Sequence, residues 1–178
     1  MRKYNRLPGS KLVAEKNASG IPYLAGAGII VVVDYLTKLW AVSALDGWGP
    51  QAVLPGINLV LVRNTGAAFG FLADAGGWQT FVFIGIGIVL CLALIGWLVT
   101  KRREVALDTG LALILGGAAG NIIDRFQQGS VIDFIDLHVG HWHWPAFNVA
   151  DIAISAGAVL LVADLLGLFS GKDRGPAE

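Results

Sequence analysis

The chain has 178 residues, enough for one domain, and carries 15 % charged against 55 % hydrophobic residues, where a soluble domain averages about 25 % charged. Its mean hydropathy of +0.65 is too high for the surface of a small water-soluble fold, so lipid must solvate part of it. Thirteen basic and thirteen acidic residues cancel, which argues against a nucleic-acid binder, and the single cysteine, Cys91, excludes an intramolecular disulfide framework and a CxxC motif.

Residues 1–20 form a basic tail holding Arg2, Lys3, Arg6, Lys11 and Lys16, read as a flexible cytoplasmic segment. The first apolar segment, 21–45, is interrupted by Asp34 and Lys38, which lie one turn apart on one helical face. Its stretch 24–33 also resembles the core of a cleaved secretory signal, but Asp34 and Lys38 would then separate that core from the small residues of a cleavage site, a poor fit. The connection 46–74 is interrupted by glycine and proline and contains the run Ile57-Asn58-Leu59-Val60-Leu61-Val62, which predicts a small β platform on the outer side. Residues 75–100 then hold no charge in 26 positions, with Trp78 and Trp97 near the ends, the clearest transmembrane helix of the chain.

A third span is predicted over 105–126, ending in Asn121, Asp124 and Arg125, and a fourth over 147–169, beginning with Asn148 and Asp151. Between them, 127–146 reads as an outer loop whose Trp142 and Trp144 suit the interface, and 170–178 is a second cytoplasmic tail. Ten of the thirteen basic residues fall in the two tails and the link at 101–103, so both termini are expected on the cytoplasmic side. The expected fold class is therefore an integral membrane, mainly α protein: four transmembrane helices over 21–169, a small periplasmic β platform and a periplasmic loop.

That topology collects the unusual polar residues at one membrane face. Intramembrane ionisable groups are functional candidates by default, and a site at the outer boundary suits chemistry on a membrane-embedded substrate. Ser130 and Ser155 lack a nucleophile-elbow sequence, and Cys91 lies deep in the second span. Two aspartates are the most economical choice, because a carboxylate pair can share one proton and use a held water as nucleophile. Two other classes stay open. A zinc peptidase would use His138, His141 and His143 beside Asp133 and Asp136, although no HExxH spacing is present. A small-solute transporter would use Asp34, Asp124 and Asp151 as a pathway, although no internal symmetry accompanies them.

Five blocks carry a resemblance. They read Asp34-Tyr35-Leu36-Thr37-Lys38; Asn64-Thr65-Gly66-Ala67-Ala68-Phe69-Gly70; Gly116-Gly117-Ala118-Ala119-Gly120-Asn121-Ile122-Ile123-Asp124-Arg125; Val131-Ile132-Asp133-Phe134; and Phe147-Asn148-Val149-Ala150-Asp151. Together, over about residues 21–169, they resemble lipoprotein signal peptidase, or signal peptidase II, a bacterial inner-membrane aspartyl peptidase. The resemblance implies that Asp133 and Asp151 are the catalytic pair, with supporting or substrate-binding roles for Asp34, Lys38, Asn64, Gly66, Asn121, Asp124, Arg125 and Asn148. It implies no metal or cofactor, lipid-modified prolipoproteins as substrates, contact with membrane lipid, and activity as a monomer at the periplasmic face.

Each supporting residue also has a structural reading. Asp34 and Lys38 can neutralise each other inside the membrane, and Asn121 and Asn148 can tie helices together. Asn64 suits a turn before Thr65-Gly66, and Asp124 is expected to form a charge pair with its neighbour Arg125. Gly116 and Gly120 form a GxxxG packing surface, within one chain or between two.

Overall fold

The computed structural model describes residues 19–66, 76–100 and 104–169. Residues 1–18 and 170–178 of the two tails, the link 101–103 and residues 67–75, which include Ala67-Ala68-Phe69-Gly70 of the second block, lie outside the described residues. Four helices are present, α1 (Ile21–Leu45), α2 (Trp78–Thr100), α3 (Val105–Gln128) and α4 (Val149–Leu165), with four strands, β1 (Gln51–Leu54), β2 (Ile57–Asn64), β3 (Val131–Val139) and β4 (Trp142–His143).

Helices α1, α2 and α3 are each long and apolar enough to cross a membrane. At a rise of about 1.5 Å per residue they extend roughly 35 Å, against a hydrocarbon core of about 30 Å. Local chemistry sets their ends. Pro22 lies in the first turn of α1, where its missing N–H costs nothing. Helix α3 runs two residues past the expected 126 because the break falls at Gly129, whose φ of 73° takes the left-handed conformation and whose N–H returns to the Arg125 carbonyl at 3.0 Å. Helix α4 has 17 residues where a longer span over 147–169 was expected. Its start is fixed by Asn148, which stays extended as the N-cap, and the chain turns at Gly167 with φ 77° soon after its end.

Helix α3 is the centre of the bundle, and its glycines are the reason. A Cβ on Gly116 would lie 2.7 Å from the Ala27 carbonyl of α1, and one on Gly117 would collide with the Ala150 carbonyl of α4. Gly110 meets the Gly157 carbonyl of α4 in the same way, and Gly120 leaves room for the Asp34 carboxylate. Close backbone approach replaces hydrophobic driving force where lipid is the solvent. The GxxxG pair thus packs within one chain. Outward, Phe81, Ile86, Val89 and Leu92 of α2 and Ile29, Val32 and Leu36 of α1 are exposed, the pattern of a lipid-facing wall.

The strands form one antiparallel sheet in the order β1-β2-β3-β4. The stretch expected as a β platform supplies β1 and β2, but the expected loop at 127–146 supplies β3 and β4, a difference from the sequence reading. Val131-Ile132-Asp133-Phe134-Ile135 is as β-branched and aromatic as any strand, and Asp133 and Asp136 of β3 break its apolar run. Strand β3 pairs with β2, placing Asp133 opposite Val62 and Val131 opposite Asn64. Its other edge holds the chain entering α4, through Ile135 and Phe147, which exchange backbone hydrogen bonds of 2.9 and 3.0 Å. Phe134 seals the sheet to α1 by packing with Ala41 and Leu45.

Candidate active site

Asp133 and Asp151 arrive from different elements and are joined by one residue. Asn148, fully buried, donates its side-chain Nδ2 to Asp133 Oδ1 at 2.7 Å and its backbone N–H to Asp151 Oδ2 at 3.2 Å. The second contact is half of a capping box, whose return bond runs from the Asp151 N–H to Asn148 Oδ1 at 2.9 Å. Each carboxylate then accepts a second N–H on its other oxygen. Asn64 Nδ2 reaches Asp133 Oδ2 at 3.1 Å, and Asn121 Nδ2 reaches Asp151 Oδ1 at 2.9 Å. Burial, and after it the negative charge of Asp151, pushes the Asp133 carboxyl up to about 7.

Behind this pair lies a buried ionic cluster. Lys38 Nζ contacts Asp34 Oδ2 at 2.7 Å, Asp124 Oδ2 at 2.9 Å and Asn121 Oδ1 at 3.0 Å. Asp34 and Lys38 therefore do neutralise each other, and Asp124 joins them. The expected Asp124–Arg125 pair is corrected here: consecutive helical residues do not face each other, and Asp124 turns to α1, accepting also the Ile132 N–H at 3.0 Å. Arg125 instead donates to the Gly66 carbonyl at 2.8 Å and the Asn121 carbonyl at 3.3 Å. Its guanidinium lies 5.3 Å over the Phe83 ring. Asn64 reaches Asp133 and is also a turn residue, since its Oδ1 accepts the Gly66 N–H at 3.0 Å.

Two cavities flank the cluster. One of about 670 Å³ is lined by Thr65, Gly77, Thr80, Phe81, Arg125 and Phe126. The other, about 490 Å³, runs along α4 from Asp151 past Ile152 and Ser155 to Val159, beneath Trp144 and Phe147. Both are mainly apolar, and each touches the polar cluster at one residue.

The histidines sit apart. His138 and His143 stack at 5.1 Å with rings 21° from parallel, and His143 Nδ1 faces Asp136 Oδ1 at 2.9 Å. Burial alone would raise the Asp136 carboxyl, but the hydrogen bonds from His143 and Asn58 outweigh it and hold it below the usual range. Among the described residues no group of three or more His, Cys, Asp or Glu converges as metal ligands would.

Several contributors are not among the residues expected from the sequence. The Ala150 N–H, bound by Asp34 Oδ1 at 2.8 Å, and the Ile132 backbone carry no side-chain signal. Gln79 and Thr80, both buried, did carry one: they are adjacent polar residues at the head of an otherwise apolar helix. Thr80 Oγ1 donates to the Gly129 carbonyl at 3.1 Å, tying α2 to the end of α3.

Residues 27–167 match the family described as Signal peptidase (SPase) II. A lipoprotein signal peptidase of Paraburkholderia phymatum is 51 % identical over 146 residues, covering 82 % of this chain and 87 % of that protein. A lipoprotein signal peptidase of Burkholderia mallei is 49 % identical over 145 residues, covering 82 % and 87 %. Among solved structures, a bacterial membrane enzyme determined by the in meso method at 2.3 Å resolution superposes with a TM-score of 0.73 and 28 % identity, over 88 % of this chain and 94 % of that one.

Proposed function

From the premise that the chain belongs to the signal peptidase II family, and is thus a multi-pass membrane protease of lipoprotein maturation, we propose that it is an aspartyl endopeptidase using Asp133 and Asp151. The observation that carries this reading is Asn148, which holds both carboxylates at once. The substrate is a bacterial prolipoprotein carrying a diacylglyceryl group on the cysteine that follows the scissile bond. Its apolar signal helix lies among the spans, and its acyl chains stay in the bilayer beside the apolar cavities.

The proton of the pair rests on Asp133, whose carboxyl is raised to about 7. Asp151 is the base: it takes a proton from a water held between the two, and the water oxygen attacks the scissile carbonyl carbon. Asp133 gives its proton to the carbonyl oxygen, forming the tetrahedral intermediate. The proton on Asp151 then passes to the leaving amine nitrogen, the C–N bond breaks, and Asp133 recovers its proton from the intermediate's hydroxyl. No metal or cofactor takes part. Arg125 and Asn64 border the place where the peptide must lie, and Gly66 fixes Arg125 through its carbonyl.

In this reading α4 is a fourth, short span beside α3, the sheet is periplasmic, both tails are cytoplasmic in the inner membrane, and the monomer is active. A 17-residue helix spans about 26 Å, close to the hydrocarbon thickness when its polar first turn sits at the boundary. The deciding experiment is cleavage of a diacylated prolipoprotein by the purified protein, with and without a strong chelator, beside Asp133→Asn and Asp151→Asn. Chelator-insensitive activity that both variants abolish while still folding is the expected result. Full activity in either variant, or loss to chelator restored by zinc, overturns it.

A further inference from the structure

The Lys38 ammonium makes three contacts, and only one of them leads to the dyad. We propose that Lys38 is a positioning residue for Asp151, acting through the amide of Asn121, an inference that rests on the two-aspartate reading above. An ammonium has donors and no acceptor. With Nζ 3.0 Å from Asn121 Oδ1, that oxygen must face Lys38, and the NH2 group is left to face Asp151 Oδ1 at 2.9 Å. The charge thus decides which end of a nearly symmetric amide meets the carboxylate. Reversed, the amide would set its oxygen against a carboxylate oxygen.

The other restraint on that amide is weak. Asn148 Nδ2 also approaches Asn121 Oδ1, at 3.2 Å, but its two hydrogens are shared with Asp133 Oδ1 at 2.7 Å and the Ile132 carbonyl at 3.2 Å. Lys38 itself has little freedom, because Asp34 and Asp124 hold it from two helices and it is 3 % exposed. A charge fixed in α1 is transmitted through α3 to a base on α4 without touching substrate.

Lys38→Met and Lys38→Gln separate positioning from charge balance, since both lose the charge but glutamine keeps a donor. Rates are taken per folded molecule, with folding followed by tryptophan fluorescence in detergent. The expected result is a kcat about tenfold lower in Lys38→Met, inside the roughly 10²-fold that a 1 Å misplacement of a reacting group can cost, with KM within about twofold and Lys38→Gln between it and the parent. In an Asn121→Ala background the Lys38 change should add little. An unchanged kcat per folded molecule, glutamine no better than methionine, or an equal further loss on top of Asn121→Ala overturns the proposal. If Lys38→Met does not fold, Lys38→Gln is compared with the parent in both backgrounds by the same criteria. Asp133→Asn and Asp151→Asn, assayed alongside, keep the two readings apart: activity in either removes the dyad, whereas two dead variants beside an unaffected Lys38 variant remove only the positioning role.

Discussion

Asp34 and Ala150 stand 116 positions apart in sequence, and Oδ1 of the first accepts the backbone N–H of the second at 2.8 Å. A carboxylate from α1 therefore caps the first turn of α4, where unpaired N–H groups and the helix dipole favour negative charge. Asp34→Ala strands both this N–H and part of the Lys38 charge, and should cost about 3–5 kcal/mol, the range for breaking a buried ion pair from one side. Asp34→Asn keeps an oxygen toward Ala150 and should lose clearly less. Thermal unfolding in detergent ranks the two, and equal losses would remove the capping role.

Asn148 combines three duties that one substitution can pull apart. Either Asn148→Ser or Asn148→Ala strands a buried Asp133 oxygen, at about 1–3 kcal/mol, but serine retains an N-cap oxygen, so its loss should be smaller than alanine's by about 1 kcal/mol. Both lose the bond to Asp133, and both should cut the cleavage rate by at least about tenfold. A serine variant that folds and cleaves like the parent would show that the bond to Asp133 is dispensable.

Asp133 also gives a pH signature. Its carboxyl sits near 3.8 in an unfolded chain and is pushed to about 7 in the folded one by burial and by Asp151. Between those values the folded state binds the extra proton, so this group's contribution to stability is complete below about pH 4 and is lost as pH rises through about 7. Asp133→Asn should flatten that part of the stability profile. If Asp133 supplies the proton in cleavage, kcat/KM falls on the alkaline side with a midpoint near pH 7. A rate level from pH 6 to 9 would place the proton elsewhere.

The helix contacts are testable at single methyl groups. Gly117→Ala drives a Cβ into the Ala150 carbonyl and should cost about 1–3 kcal/mol, the usual range for overpacking. Gly26 in α1 has nothing within 4 Å of a built Cβ, and Gly26→Ala should be neutral or slightly stabilising. If both substitutions leave the melting temperature unchanged, α3 and α4 do not pack on their glycines.

Much of this arrangement was legible in the residues. Helix α1 is visible because its apolar run is bounded by Pro22 and Gly47, and α2 because 26 positions carry no charge. The polar residues of the cluster stood out because carboxylates and amides are costly inside a membrane. What the sequence hid were partners chosen in three dimensions. Asp124 beside Arg125 reads as a pair, yet the helix turns Asp124 to Lys38. Strand β3 does not stand out as a strand in the sequence because Asp133 and Asp136 interrupt its apolar residues. Each meets an asparagine of the neighbouring strand β2, Asn64 or Asn58, contacts no local pattern reveals.

The capping box at the head of α4 ties the fold to the candidate site. Asp151 is the residue that closes the first helical turn against Asn148, so its carboxylate is placed by the turn itself. The same Asn148 reaches Asp133 where the chain before α4 is hydrogen-bonded to β3. On the two-aspartate reading, the bonds that hold α4 to the sheet are the bonds that bring the pair together, so a chain in which that junction is open carries both aspartates but no assembled pair.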